Sequence, residues 1–365
     1  MKDLIIYRSD DSDILKKIKY FKRLNINTIC IDIFDRVDDN LINKLINISN
    51  KLADQGLLLI VEIDIIKIIP MLIETEEFIL NEPKIRKSFY QFINYLIKQG
   101  IKGFYFKELD EIYNKSISID EFMNFIREMS KNTLRANDIV SICQLSEDDI
   151  SLAKFLASKQ SNNFDFINLT NPCKNNFMQI KSNIKSSQDE DNPLNQILTT
   201  DNSFKNFINT KNYPYHSLSL LAGATYMQSG SPMLSSLEEM GLYDVGAKLN
   251  DFSMMKNSNM TMDFYQRLMK IRKDFPLISH GSFRLLFDKD PDVFSFMKIG
   301  GKDKLIVFAN FSQREVFLDI RFHFIDLYDY KYLLGNYGKR RIVKNLLLRP
   351  YEFVAFIKWY KICIS

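Results

Sequence analysis

Several short apolar runs in this sequence end in residues that could do chemistry. GFYFKELD delivers Lys107 and Glu108, LIVEIDII carries Glu62 and Asp64, SICQLS carries Gln144, and ILTTDNSF carries Thr200 and Asp201. Carboxylates at strand ends can act as acid, base or nucleophile when their surroundings tune them. An ammonium among them has the opposite electrostatics, since it suits an ion pair and opposes any positive charge developing nearby. Lys107 is therefore the residue that needs explaining.

Composition narrows the classes. The chain has 365 residues, 46% of them hydrophobic, enough for a large core and for one large domain plus a smaller one. Its net charge of +4 comes from 49 basic and 45 acidic residues scattered along the chain, so no broad cationic face for nucleic acid is expected. Lys339, Arg340 and Arg341 beside Gly338 read as a solvated turn. Cys30, Cys143, Cys173 and Cys363 show no CxxC spacing, and His216, His280 and His323 lie far apart, so no disulfide framework, metal site or cofactor is expected. The acidic stretch QDED, Gln188 to Asp191, lacks the ligand spacing of a calcium loop. MKDLIIYRSDDSD has too short an apolar run for a signal peptide, and no uncharged apolar run is long enough to span a bilayer; a cytoplasmic location follows as the expectation.

The elements that must position these residues are legible as alternation. Candidate strands are Leu4 to Tyr7, Thr28 to Ile33, Leu57 to Ile63, Gly103 to Phe106, Ile139 to Cys143, Phe164 to Ile167, Gln196 to Thr199 and Met233 to Ser235. Amphipathic helical patterns lie between them: Asp13 to Leu24, Asp39 to Gln55, Pro83 to Gln99, Ile119 to Lys131, Glu147 to Ser158, Asn175 to Ser186, Tyr213 to Gln228 and Met262 to Lys273. Gly56 and Gly100 fit helix C-terminal caps. Such βα units close into a (β/α)8 TIM barrel or form an open doubly wound sheet, and periodicity alone does not choose. From about Gly281 the helical period disappears, and FRLLF, VFSFMKI, KLIVFANF and FVAFIKWY predict a small C-terminal antiparallel β domain. The polar stretch KSSQDEDNPLN, Lys185 to Asn195, reads as a mobile loop.

Four collinear stretches carry a resemblance. DFYQRLMKIRKDFPLISHGSFRLLFDKDPDVFSFMK, NEPKIRKSFYQFINYLIKQGIKGF, GSPMLSSLEEMGL and LLLRPYEFVAFI resemble family 13 glycoside hydrolases of the α-amylase superfamily, in particular the oligo-1,6-glucosidase and trehalose-6-phosphate hydrolase group. The resemblance implies an α/β fold, a (β/α)8 barrel over residues 1–280 followed by a β-sandwich-like domain over 281–365. The family's long insertion after the third strand, domain B, is almost entirely missing, because the stretch from Ile66 to Pro83 is short.

The same resemblance implies a degenerate site. Retaining glycosidases need an ionised nucleophile and a protonated acid, held at strand ends around the sugar. The family's fourth strand reads GFRMDV, so Tyr105 stands at the arginine and Lys107 at the nucleophile. Gln144 stands at the general acid and base, where an amide cannot cycle a proton. TTDNSF aligns with NHDQPR, keeping Asp201 but placing Thr200 at the histidine and Phe204 at the arginine, while Glu62 takes the third-strand aspartate position. The expectation is a noncatalytic homologue in which Lys107 pairs with Asp201. Tyr105, Glu62, Thr200 and Asp201 are the candidates for binding a small carbohydrate, and a soluble protein partner is the other candidate ligand. In the family register Glu108 is expected to face away from the pocket. The alternative is a weak or altered retaining α-glucosidase using Glu62, Asp64, Glu108 or Asp201.

Overall fold

The computed structural model describes residues 3–9, 14–32, 38–73, 80, 82–115, 118–145, 150–157, 163–170, 176–188, 194–200, 204–241, 252–321 and 327–360. Eight strands follow one another as β1 (Ile6–Ser9), β2 (Thr28–Ile31), β3 (Leu58–Ile63), β4 (Gly103–Phe106), β5 (Val140–Leu145), β6 (Phe166–Leu169), β7 (Ile197–Leu198) and β8 (Ser231–Ser235). They form one sheet in the order β6-β5-β4-β3-β2-β1-β8-β7, and a parallel bridge from Ile167 to Gln196 brings its two ends together. That closure selects the barrel over the open sheet.

Alternation along the strands sets what faces inward. One side chain from each strand, Ile6, Cys30, Ile60, Tyr105, Ile142, Phe166, Ile197 and Met233, packs into a single buried cluster. Two residues further along, the same parity selects Arg8, Asp32, Glu62, Lys107, Gln144 and Asn168. Apolar residues fill the barrel, and a polar layer follows at the carboxyl ends of the strands.

Gly103, on this inward face, accommodates its neighbour. A Cβ there would sit 2.7 Å from Cγ1 of Ile60. Gly103→Ala should therefore destabilise the fold by about 1–3 kcal/mol through overpacking, read as a lower urea midpoint with unchanged slope; an unchanged midpoint would mean that the layer has room to give.

The helices are α1 (Ile18–Arg23), α2 (Asp39–Ala53), α3 (Ile65–Ile73), α4 (Pro83–Lys98), α5 (Leu109–Lys115), α6 (Ile119–Met129), α7 (Ile150–Leu156), α8 (Phe177–Ser187), α9 (Pro214–Tyr226), α10 (Phe252–Asp274) and α11 (Leu277–His280). Local chemistry explains their ends. The Asp38 side chain accepts from the Leu41 amide at the start of α2, and Ser118 and Glu121 form a reciprocal capping box on α6. Gly56 and Gly100, at φ +73° and +97°, close the turns after α2 and α4 as the sequence predicts.

Helices α3 and α5 escape the periodicity because they directly follow strand ends and are short. Helix α10 starts at Phe252 rather than Met262. Of the stretch expected to be a loop, Lys185 to Ser187 belong to α8, and 189–193 lie outside the described residues.

The chain divides into two units: residues 1–171, 194–197 and 231–236 in one, and 172–193, 198–230 and 237–365 in the other. The second unit contains a five-stranded antiparallel sheet. Its strands are β9 (Ser282–Leu286), β10 (Val293–Gly300), β11 (Asp303–Asn310), β13 (Lys331–Gly335) and β15 (Phe353–Lys358), ordered β13-β15-β11-β10-β9. A second sheet pairs β12 (Val316–Asp319) with β14 (Asn345–Leu348). Helix α9 is buried from Ser217 to Tyr226, which is why it reads as apolar all round rather than amphipathic. No helix among the described residues is long and apolar enough to cross a membrane.

Candidate functional site

The polar layer of the first unit is a charge network. Lys107 lies one residue beyond β4, and its backbone amide donates to the Ile63 carbonyl at 2.9 Å, so it keeps the strand's register and the inward direction. Its Nζ reaches Oδ2 of Asp32 at 2.7 Å and lies 3.8 Å from Oε2 of Glu62. Glu62 is fully buried, and Arg8 holds both its oxygens, Nε to Oε1 at 2.5 Å and Nη2 to Oε2 at 2.7 Å. Two cations thus interleave with two carboxylates across four consecutive strands.

This arrangement corrects one expectation. Asp201 lies outside the described residues, and the carboxylate that Lys107 meets is Asp32, from the end of β2. The pairing of the ammonium with a carboxylate is found; its partner differs.

The layer beneath completes the network. The Tyr105 hydroxyl accepts a 2.7 Å hydrogen bond from the Asn168 amide, and the Arg8 guanidinium lies 5.8 Å from the Tyr105 ring centre. Burial raises the Tyr105 hydroxyl above its ordinary pKa, so it stays protonated. The Cys30 thiol, 3.5 Å from Oε1 of Glu62, is raised first by burial and then by that carboxylate, which keeps it an inert thiol. For Arg8, desolvation works against the charge, yet the hydrogen bonds and charge of Glu62 more than offset it, and the net shift is upward.

Gln144 stands apart from the ion pairs. Its Nε2 donates to Oγ1 of Thr170 at 3.4 Å, while its buried Oε1 has no hydrogen-bond partner. An orphaned buried carbonyl oxygen costs about 1–3 kcal/mol, a cost that a donor from a bound molecule would remove. Thr200, which belongs to the second unit, is fully buried, and its Oγ1 likewise has no partner.

Alternation does not decide the direction of Glu108, because β4 ends at Phe106 and Glu108 takes φ +45°. Its carboxyl is raised by burial first, then by Glu111 and Asp64, while Lys107 lowers it. Asp64 in turn pairs with Lys67 at 3.1 Å. Glu108 is thus a carboxyl held above its ordinary range beside the same charge network.

Arg8, Asp32 and Asn168 are members of the site that motif matching does not reveal. The signal for them was alternation: Leu4, Ile6 and Arg8 share a face, as do Thr28, Cys30 and Asp32. Among the described residues, no group of three or more His, Cys, Asp or Glu side chains could hold a metal ion. Cys30 and Cys143 are buried free thiols; Cys173, Cys363 and His323 lie outside the described residues.

No family model matches the chain. Over 110 residues it is 27% identical to an oligo-1,6-glucosidase from Bacillus cereus, a match covering 30% of this chain and 20% of that enzyme. Over 110 residues it is also 27% identical to a trehalose-6-phosphate hydrolase from Bacillus subtilis (strain 168), again covering 30% and 20%. The chain therefore spans about a fifth of the length of these curated relatives. In three dimensions it is similar to the trehalose-6-phosphate hydrolase of Bacillus licheniformis, with a TM-score of 0.78 at 14% identity, covering 98% of this chain and 99% of that one. The resemblance to the oligo-1,6-glucosidase and trehalose-6-phosphate hydrolase group, and the barrel with its antiparallel β sheets, are found as read from the sequence.

Proposed function

We propose that this relative of the family 13 α-glucosidases does not cleave glycosides, and that the end of its barrel serves as a binding scaffold for a small carbohydrate or a soluble protein partner. The observation that carries the proposal is the Lys107 ammonium 2.7 Å from Asp32, at the position the resemblance assigns to the nucleophile. A retaining mechanism needs a carboxylate free to form the glycosyl ester and negative charge to stabilise an oxocarbenium-like transition state. Here Glu62 is enclosed by Arg8, Asp32 is engaged by Lys107, and the ammonium would raise the energy of a cationic transition state. Gln144, at the acid and base position, supplies neither proton nor base, which removes a contribution of roughly 10²- to 10⁴-fold.

What such a site retains is recognition. The unpartnered Oε1 of Gln144 suits a sugar hydroxyl as donor, and that atom supports the carbohydrate form of the proposal. Tyr105, Glu62, Thr200 and Asp201 remain the binding candidates of the proposal. The cytoplasmic location and the domain boundary near Gly281 belong to the same proposal.

One observation favours a second reading. Burial and Glu111 push the Glu108 carboxyl up, as a general acid requires, and a weak retaining α-glucosidase could use it.

The assay separates the two. Purified protein at high concentration is incubated with 4-nitrophenyl α-glucoside, isomaltose and trehalose 6-phosphate, beside Lys107→Asp/Gln144→Glu, Glu108→Gln and Asp201→Asn variants. The expected result is no turnover above buffer by the unmutated chain. Turnover abolished by Glu108→Gln or Asp201→Asn would establish the glucosidase reading instead.

A further inference from the structure

The second unit contains a cavity of about 720 Å³ that shares no residue with the charge network at the barrel end. Its walls come from the chain entering α9, from the turn following β13, and from Met260 and Arg267 of α10. Four tyrosines line it: Tyr213, Tyr215, Tyr332 and Tyr337.

The walls are tied together. The Asn336 amide donates to the carbonyls of His216 and Tyr351 at 2.8 and 2.7 Å, and its oxygen accepts from the Phe353 amide at 2.9 Å. The His216 ring stacks on Tyr337 at 3.9 Å with an interplanar angle of 5°. A cavity held this way is preformed, so a ligand does not have to order it.

Its chemistry is one-sided. Arg267 and Lys339 are its cations, both exposed, and no aspartate or glutamate is among its lining residues. Among the described residues, neither cation forms an ion pair with a carboxylate. Burial lowers the basicity of His216; Arg349 adds to the positive potential of the two lining cations, while Asp263, acting on Tyr215, and Glu352, acting on His216 and Tyr337, offset part of it.

The aromatic faces are largely spent on one another. Tyr337 is stacked by His216 and packed by the Arg349 guanidinium at 5.1 Å, Tyr213 packs on Tyr351 at 5.1 Å, and Tyr215 meets His216 edge-on at 5.2 Å. The Tyr337 and Tyr332 hydroxyls donate to the Pro350 and Gly335 carbonyls at 2.8 and 3.4 Å, and Tyr215 is hydrogen-bonded to Ser219. Toward a ligand Tyr332 and Tyr337 therefore act as acceptors beside the amide of Asn212, and the cavity offers these edges rather than an open slot for a flat base. Hydroxyl and amide groups pair with the hydroxyls of a sugar ring, and two unpaired cations pair with an anion.

We propose that this cavity binds a phosphorylated sugar, its phosphate held by Arg267 and Lys339 and its ring hydroxyls by the tyrosine and asparagine side chains. The site acts independently of the barrel end, so it stands or falls separately from the noncatalytic reading.

Calorimetric titration of the full chain with glucose 6-phosphate, glucose and inorganic phosphate tests it. The expected result is saturable binding of glucose 6-phosphate in the range of about 0.1–1 mM, weakened at least about 10-fold by raised salt and by Arg267→Ala/Lys339→Ala, with glucose and inorganic phosphate each at least about 10-fold weaker. Both side chains are exposed, so the double variant should fold, and its circular dichroism and urea midpoint check this. Absence of saturation, equal binding of glucose or inorganic phosphate, or unchanged affinity in the folded double variant would each overturn the proposal.

Discussion

Arg8→Ala is expected to lower the stability of the fold by up to about 3–5 kcal/mol, the upper scale set by removing one partner of a buried ion pair, since the Arg8 side chain is itself 32% exposed. Glu62 is fully buried, and both its oxygens are held by Arg8. Without the guanidinium, the carboxylate retains only the Cys30 thiol at 3.5 Å and the Lys107 ammonium at 3.8 Å. Lys107 could move toward it only by loosening its pair with Asp32, whose side chain is 37% exposed, so a shift of the ammonium recovers part of the loss.

The control distinguishes the value of the pair from the penalty of breaking it. Replacing both partners with apolar residues, Arg8→Met with Glu62→Leu, should restore most of the stability, because desolvation offsets most of the Coulomb gain of a buried pair. Urea unfolding of the two variants reads the difference. A loss below about 1 kcal/mol for Arg8→Ala would mean that Glu62 reaches water and that the network is a surface feature.

The same network explains which parts of the site were legible. Strand β4 was read from a short aromatic run with the observed bounds, and its parity carried Lys107 to the inward face. The partner of Lys107 was not legible, because an ammonium takes the carboxylate nearest in space and Asp32 lies 75 positions away in the chain. Asp32 and Arg8 fall outside the stretches that resemble the family, so a motif search passes over them although alternation places them. Glu108 shows the limit of alternation itself, since the rule ends where the strand does.

The second unit shows a similar division. Its strands β9, β10, β11 and β15 were legible as aromatic and β-branched runs between turn clusters, whereas the short β12, β13 and β14 were not. Its cavity was not, because the Asn336 to His216 hydrogen bond that ties its walls spans 120 positions. Helix α9 reads as one of the amphipathic patterns, but it is buried all round, so it has no exposed face and its covering could not be inferred.

Lys298→Met should stabilise the protein at neutral pH, and the gain should disappear as the pH rises. Lys298, on β10, is fully buried; its Nζ is hydrogen-bonded to Oγ of Ser229 and lies 5.8 Å from the Phe283 ring centre. No carboxylate is within ion-pair distance of it among the described residues. Burial, and after it the charge of Arg272, depress its pKa from 10.5 to about 7. Below about pH 7 both folded and unfolded chains carry the proton, and the folded state bears the full penalty of a buried ammonium. Between about 7 and 10.5 the folded state releases its proton while the unfolded state keeps it, so stability rises with pH across that window by about 4 kcal/mol. Other lysines, tyrosines and thiols titrate there too, so the quantity to measure is the difference between the unmutated chain and the variant. That difference should favour methionine by about 3 kcal/mol at pH 7, allowing for the lost hydrogen bond to Ser229, and fall toward zero near pH 10. A difference that does not change with pH would mean that the Lys298 ammonium is hydrated in the folded state.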